Sequence, residues 1–151
     1  MNVDYFMNEA IKEAKKALSC EEVPVGAVIV DNQTEKIINR NYNQMNKFNN
    51  AIKHCEINII NETCQKVKQK YLENMTMFVT LEPCSMCASA ISEVHINNIY
   101  FGAYDEKNGG IEKLRVAFQR ENIFIPTIYG GIMEKECSNL LKKFFRNKND
   151  R

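Results

Sequence analysis

The sequence predicts an α/β fold in three layers, a central sheet covered by helices on both faces. Three observations carry this. Segments of helical period alternate along the chain with short β-branched runs, no internal repeat or low-complexity linker interrupts them, and 151 residues with 44% hydrophobic content suffice for one core. Residues 1–151 are therefore read as a single domain.

The elements follow in order. Val3, Phe6, Met7, Ala10, Ile11, Ala14, Ala17 and Leu18 recur at i, i+3 and i+4, which gives an opening amphipathic helix one buried stripe. Pro24 to Val30 is apolar and β-branched and runs into Asp31 and Asn32, so it reads as a buried strand ending in a turn. Lys36 to Arg40 returns as a second strand. Asn39 to Asn50 is crowded with asparagine and has no apolar period, which predicts a loop long enough to call for a functional reason. A helix is expected from His54 to about Lys70, a strand from Thr76 to Leu81, and a second helix from Ser85 to about Val94, entered through Pro83. Ile99 to Gly102 and Thr127 to Tyr129 read as further strands. Met133, Cys137, Leu140, Leu141 and Phe144 space a closing helix.

Composition narrows the class. The opening segment mixes Asp4, Glu9 and Glu13 with its apolar positions, unlike a signal peptide, and no stretch approaches the roughly 20 apolar residues of a membrane span. A cytoplasmic protein with no membrane partner is the expectation. Six cysteines (Cys20, Cys55, Cys64, Cys84, Cys87 and Cys137) then point to packing, metal binding or reactivity rather than disulfides. A formal net charge of +1 does not advertise nucleic-acid binding through bulk electrostatics, so an RNA partner has to be argued locally.

Cys84 and Cys87 stand three apart, so a helix starting at Pro83 puts both sulfurs on one face of its first turn, within reach of a single ion. That spacing alone fits a redox pair or half of a structural zinc site equally well. His54 decides between them. With two thiolates it makes three protein ligands and leaves the fourth tetrahedral position open, which is the pattern of catalytic zinc. Helix N-termini at His54 and Pro83 favour the negative charge of the thiolates. Zinc brings the pKa of the water it holds to about 7, and Glu56 is placed to take a proton from that water, as a shuttle and not as a ligand. One geometric condition applies. Inside a regular helix His54 and Glu56 would point about 200° apart, so the pattern works only if His54 lies at the helix entry, where the backbone is not yet helical. His-x-Glu followed by Pro-Cys-x-x-Cys is the signature of the zinc nucleobase deaminases.

Glu22 to Val28, Val79 to Ala88, Phe101 to Asp105 and Leu140 to Arg146 resemble, in order and spacing and nearly end to end, the bacterial tRNA-specific adenosine deaminases. These enzymes convert the wobble adenosine of an anticodon to inosine. The resemblance implies the cytidine-deaminase-like α/β/α sandwich with a central mixed sheet, one zinc ion per subunit, a homodimer with active sites near the subunit interface, and a tRNA anticodon stem-loop as partner. It carries the pocket asparagine, eleven positions before the zinc histidine, onto Asn43, and assigns Val28 and Pro83 to the same substrate pocket. Asn43 also reads as one more residue of an asparagine-rich loop. Lys107 and Asn108 are RNA-contact candidates by family position. Lys143 and Arg146, with Lys142, Lys148 and Arg151, make the closing helix basic, while Phe144 reads as core.

The chain departs from the family around the metal. Ala51-Ile52-Lys53-His54-Cys55-Glu56 stands where the family usually has Pro-Thr-Ala-His-Ala-Glu. Cys55 reads either as a small buried side chain in place of alanine or as a fourth ligand that would close the site. His95, where the family often has arginine, reads as a surface histidine, and Cys20, Cys64 and Cys137 as buried or inert thiols. Two other functions stay open at this point. One is a deaminase of free guanine, cytosine or a nucleoside, and the other is a zinc-stabilised binding module without catalysis.

Overall fold

Asn2 starts the first helix by accepting the Tyr5 N–H on its side chain at 3.1 Å, and Asp4 in the first turn complements the helix dipole. The computed structural model describes residues 1–111 and 123–149. Helix α1 (Val3–Ser19) buries Phe6, Met7, Ala10, Ile11, Ala14 and Ala17, the stripe its periodicity predicts. Strands β1 (Gly26–Asp31) and β2 (Ile37–Tyr42) form an antiparallel pair with a register shift at Ile29 and Val30. A four-residue helix α2 (Met45–Phe48) precedes α3 (Cys55–Val67). Then come β3 (Met75–Leu81), α4 (Ser85–Glu93), β4 (Asn98–Ala103), β5 (Thr127–Tyr129) and α5 (Glu134–Asn149).

The strands make one mixed sheet in the order β2-β1-β3-β4-β5, antiparallel on the β1 side of β3 and parallel from β3 to β5. Alternation along β1 sends Ala27 and Ile29 to one face, against Ile59 and Ile60 of α3 and Ile91 of α4. Val28 and Val30 go to the other, against Phe6, Met7 and Ala10 of α1 and Cys137 of α5. Both faces of β1 are buried, which explains why it reads as an unbroken apolar run. Gly26 lies so close to α1 that a Cβ would meet the Ala10 carbonyl and the Ala14 nitrogen, and only glycine fits there. Among the described residues, no helix is long and apolar enough to cross a membrane.

One expectation needs correction. The segment 39–50 is not all loop: β2 continues to Tyr42 and α2 follows. Side chains supply the order that the apolar pattern lacks. Asn39 and Asn41 donate to the Glu62 carboxylate of α3, and the buried Glu22 carboxylate accepts the Asn46 and Lys47 N–H groups of α2, each at 2.9 Å. Cys20 is exposed at the end of α1, whereas Cys137 is buried and Cys64 half-buried. His95 is half-exposed and stacks between Tyr71 and Phe124, at centroid distances of 4.5 and 5.1 Å.

The topology creates one functional end. β2 and β3 finish there, β1 begins there with the Gly26 N–H donated to Thr80 Oγ1, and α3 and α4 both start there.

Candidate active site

His54 is the residue before the first turn of α3, with extended backbone angles of φ −65° and ψ 150°. The geometric condition on the motif is met: His54 and Glu56 line the same pocket because His54 is not yet helical. Cys84 occupies the equivalent place before α4, at φ −71° and ψ 173°, and Cys87 lies in the first turn. Among the described residues, His54, Cys84 and Cys87 form a group whose ligand atoms all lie within 4.8 Å of one another. His54 Nδ1 is 3.7 Å from Cys84 Sγ and 3.6 Å from Cys87 Sγ. A tetrahedral ion with Zn–N of about 2.0 Å and Zn–S of about 2.3 Å needs N···S separations of about 3.5 Å. The donor set and its spacing fit zinc.

The electrostatics of the cluster agree with a cation site. Cys84 is lowered to about 4 because Cys87 donates a hydrogen bond to it and His54 does the same, against the effect of burial. Cys87 moves up as the donor of that pair, reinforced by burial. His54 is raised, chiefly by its hydrogen bond to Cys84. The trio thus favours the thiolate form of Cys84, the form a metal requires.

Glu56 is almost fully buried, and desolvation pushes its carboxyl up to about 7 against opposing hydrogen bonds. Cys55, the next residue back, turns the other way. Its Sγ donates to the Asn41 carbonyl at 3.3 Å, and burial, followed by the charges of Glu56, Glu13 and Glu62, holds the thiol well above its usual range. It is a neutral packed thiol outside the ligand group, which removes the four-ligand reading.

The pocket has a volume of about 560 Å³. Asn43, Lys107 and Asn108 line it, and Asn43 is buried with its Oδ1 accepting the Cys55 N–H at 2.7 Å. Its amide NH₂ is free to donate to a ligand, and its oxygen keeps a second lone pair. Pro83 is buried between two lining residues, Glu82 and Cys84, and its carbonyl accepts the Gly110 N–H at 2.8 Å. The Val28 side chain is not at the pocket. Strand alternation puts it on the α1 face of the sheet, and Val23 and Val25 line the pocket instead. Lys143 lines a separate groove with Cys20, Asn46 and Phe144, Arg146 is exposed on α5, and Phe144 is buried as expected. The Lys148 side chain and Arg151 lie outside the described residues.

Two buried carboxylates escaped the sequence reading. Glu22 holds α2, and Glu82 accepts the Asp105 N–H at 3.1 Å, where a Cβ on Gly109 would strike its carboxylate. Each belongs to a stretch that carries the family resemblance, as an acidic residue beside an apolar run and a proline. That was the available signal.

Comparison with known proteins places this geometry. A sequence-family profile described as MafB19-like deaminase matches residues 1–149. The tRNA-specific adenosine deaminase of Rickettsia bellii (strain RML369-C) is 43% identical over 145 residues, 95% of this chain and 100% of that one. A solved structure from work on A-to-I editing by tRNA:A34 deaminases at the wobble position of transfer RNA is 38% identical with a TM-score of 0.85, covering 91% of this chain and 99% of that chain. The guanine deaminase from Nitrosomonas europaea superposes with a TM-score of 0.80 over 93% of this chain and 83% of that chain. At 14% identity it shares the fold and nothing finer.

Proposed function

The chain belongs to the tRNA-specific adenosine deaminases, within the MafB19-like deaminases, and on that premise we propose that it hydrolyses the wobble adenosine of a tRNA anticodon loop to inosine and ammonia. The observation that carries the reading is the convergence of Glu56 with His54 and Cys84 in one pocket, on a chain so similar to named tRNA deaminases. His54, Cys84 and Cys87 would hold one zinc ion. When bound, zinc acidifies a water molecule and makes it a nucleophile at neutral pH.

The chain's own residues do the rest. Glu56 is the proton shuttle: it takes one proton as the water attacks the amino-bearing carbon of the adenine and delivers it to the ring nitrogen, then carries the second proton, from the new hydroxyl, to the amine as the C–N bond breaks and ammonia leaves. Its burial keeps that carboxyl out of bulk water, so its protons go to the substrate. Asn43 offers its NH₂ to an acceptor on the extruded base while its oxygen stays tied to α3. Pro83 sets the entry of α4 behind the pocket, and Lys107 and Asn108 stand where the flanking nucleotides would pass. Lys143 and Arg146 extend a positive surface along α5. Residues 1–151 act as one deaminase domain, which pairs as a homodimer in the cytoplasm, where its tRNA substrate is found.

The test is to incubate zinc-loaded protein with an adenosine-containing anticodon stem-loop and quantify inosine, with adenosine, cytosine and guanine run alongside. Inosine in the stem-loop alone supports the proposal. Product from a free base alone would move the substrate while keeping the chemistry.

A further inference from the structure

Phe48 has no evident reason in folding to stand where it does. It is 51% exposed at the end of α2, and Ile52, 55% exposed, follows in the same segment. The ammonium groups of Lys47 and Lys53 both approach its ring, each 5.2 Å from the centroid. Among the described residues, neither lysine has a carboxylate within ion-pair distance. Two like charges are thus gathered around one exposed ring without a carboxylate among the described residues to balance them.

The backbone under this ring is held firmly. The Glu22 carboxylate, 1% exposed, fixes the N–H groups of Asn46 and Lys47. The Asn50 side chain accepts the Ile52 N–H at 3.0 Å, and the Gln44 N–H bonds the Lys53 carbonyl at 3.2 Å, closing the segment on itself. Met45, in the same turn of helix as Phe48, lines the active-site pocket, and Lys53 immediately precedes His54. Lys107 and Asn108, after β4, line that pocket from a strand two places away from β1 in the sheet.

An exposed ring with unpaired ammonium groups, mounted on a firmly held segment beside the active-site pocket, has the composition of a single-strand nucleic-acid site. We propose that Phe48 is a stacking platform for an RNA base next to the deaminated nucleotide, and that Lys47 and Lys53 contact the phosphates on either side of that base. This rests on the reading of the substrate as an RNA loop. A base sliding onto the ring replaces an ammonium group at the π-face and leaves it at the edge, where the phosphate runs. The loop is thereby gripped at two points, the extruded adenosine in the pocket and its neighbour on Phe48. The platform would make the enzyme prefer an open loop, whose bases are free to splay, over a paired duplex.

The experiment measures binding of a fluorescent anticodon stem-loop to the zinc-loaded protein by anisotropy, with inosine formation followed separately. Phe48→Ala should weaken binding about tenfold, Phe48→Tyr should retain it, and Phe48→Leu, which keeps apolar bulk without a π-face, should behave like Phe48→Ala. Lys47→Ala with Lys53→Ala should lower the slope of log affinity against log salt by about 1.4. Unchanged affinity in Phe48→Ala, or wild-type affinity in Phe48→Leu, overturns the platform. So does a change of mass in Phe48→Ala by light scattering, which would make the ring a subunit contact, and so does failure of the wild-type protein to bind the stem-loop at all. If the wild-type protein binds the stem-loop without making inosine, and Phe48→Ala weakens that binding, the deaminase reading falls and the platform stands.

Discussion

Asn43 and Cys55 are joined by a 2.7 Å hydrogen bond from the backbone N–H of Cys55 to the side-chain oxygen of Asn43. That bond satisfies one of the free donors at the start of α3 from a residue at the end of β2, so the pocket asparagine and the helix that carries Glu56 are positioned together. The Asn43 amide keeps its NH₂, and a second lone pair on its oxygen, for a substrate.

Two Asn43 variants separate these roles. Asn43→Ala loses the capping acceptor and the donor, and should lower stability by about 1–2 kcal/mol along with activity. Asn43→Asp keeps an oxygen for the helix start, where negative charge is favoured, but removes the donor. It should unfold at a temperature closer to wild type than Asn43→Ala while losing comparable activity. Thermal unfolding and the KM for the stem-loop check both.

Glu56→Gln should reduce inosine formation by about 100- to 10,000-fold, since a carboxamide cannot carry the proton. Because Glu56 lies outside the His54, Cys84 and Cys87 group, metal content by elemental analysis should stay at wild-type level. Wild-type activity in this variant would exclude the shuttle.

Stripping the metal should expose a thiol of unusual acidity. An ordinary thiol is largely unreactive at pH 6, since it ionises near pH 8.5. Cys84, lowered to about 4 by the hydrogen bonds it accepts, is already a thiolate there. Sign and window follow: its alkylation by iodoacetamide should proceed at pH 6 in chelator-treated protein and fall off only as pH drops toward 4. Bound zinc should suppress it. Peptide mapping by mass spectrometry identifies the site.

Cys55→Ala should leave the metal stoichiometry unchanged and cost about 1 kcal/mol of stability, from one lost hydrogen bond and a small cavity. A loss of zinc in this variant would restore the four-ligand site that the geometry removes.

Glu22→Ala should take the buried carboxylate away from the N–H groups of Asn46 and Lys47, which then start α2 without an acceptor. A stability loss of about 1–3 kcal/mol is expected in urea unfolding, together with a raised KM, because α2 carries Met45 of the pocket wall. Glu22→Gln keeps one acceptor oxygen and should recover part of both.

The pairing of Cys84 with Cys87 was legible because its information is local: two cysteines three apart at a helix entry need no knowledge of the rest of the fold to be placed side by side. β1 was legible for a similar reason, since a run of apolar residues declares itself buried. Which face each residue takes is a different matter. Val28 was assigned to the pocket although alternation sends it to α1, and Val23 and Val25 stand there instead, because facing depends on where the strand is entered. Glu22 and Glu82 were not given roles because a carboxylate that accepts backbone N–H groups from a distant segment leaves no spacing to read. The same interactions hide α2, a helix too short to show a period, inside what reads as a loop.

The mixed sheet divides the molecule by how readily its parts open. β3 is bonded on both sides, to β1 and to β4, and it is buried along all but its last residue, so its amides are among the last to exchange with solvent. Cys84 and Cys87 hang from its end through two residues. The turn after β4 is held by the Glu82 carboxylate and by the Gly110 N–H bonded to the Pro83 carbonyl, fewer bonds than a central strand makes, and belongs to the part that opens first. That turn can therefore open while β3 stays closed, so exchange of a bound molecule at the rim does not require the sheet beneath it to open.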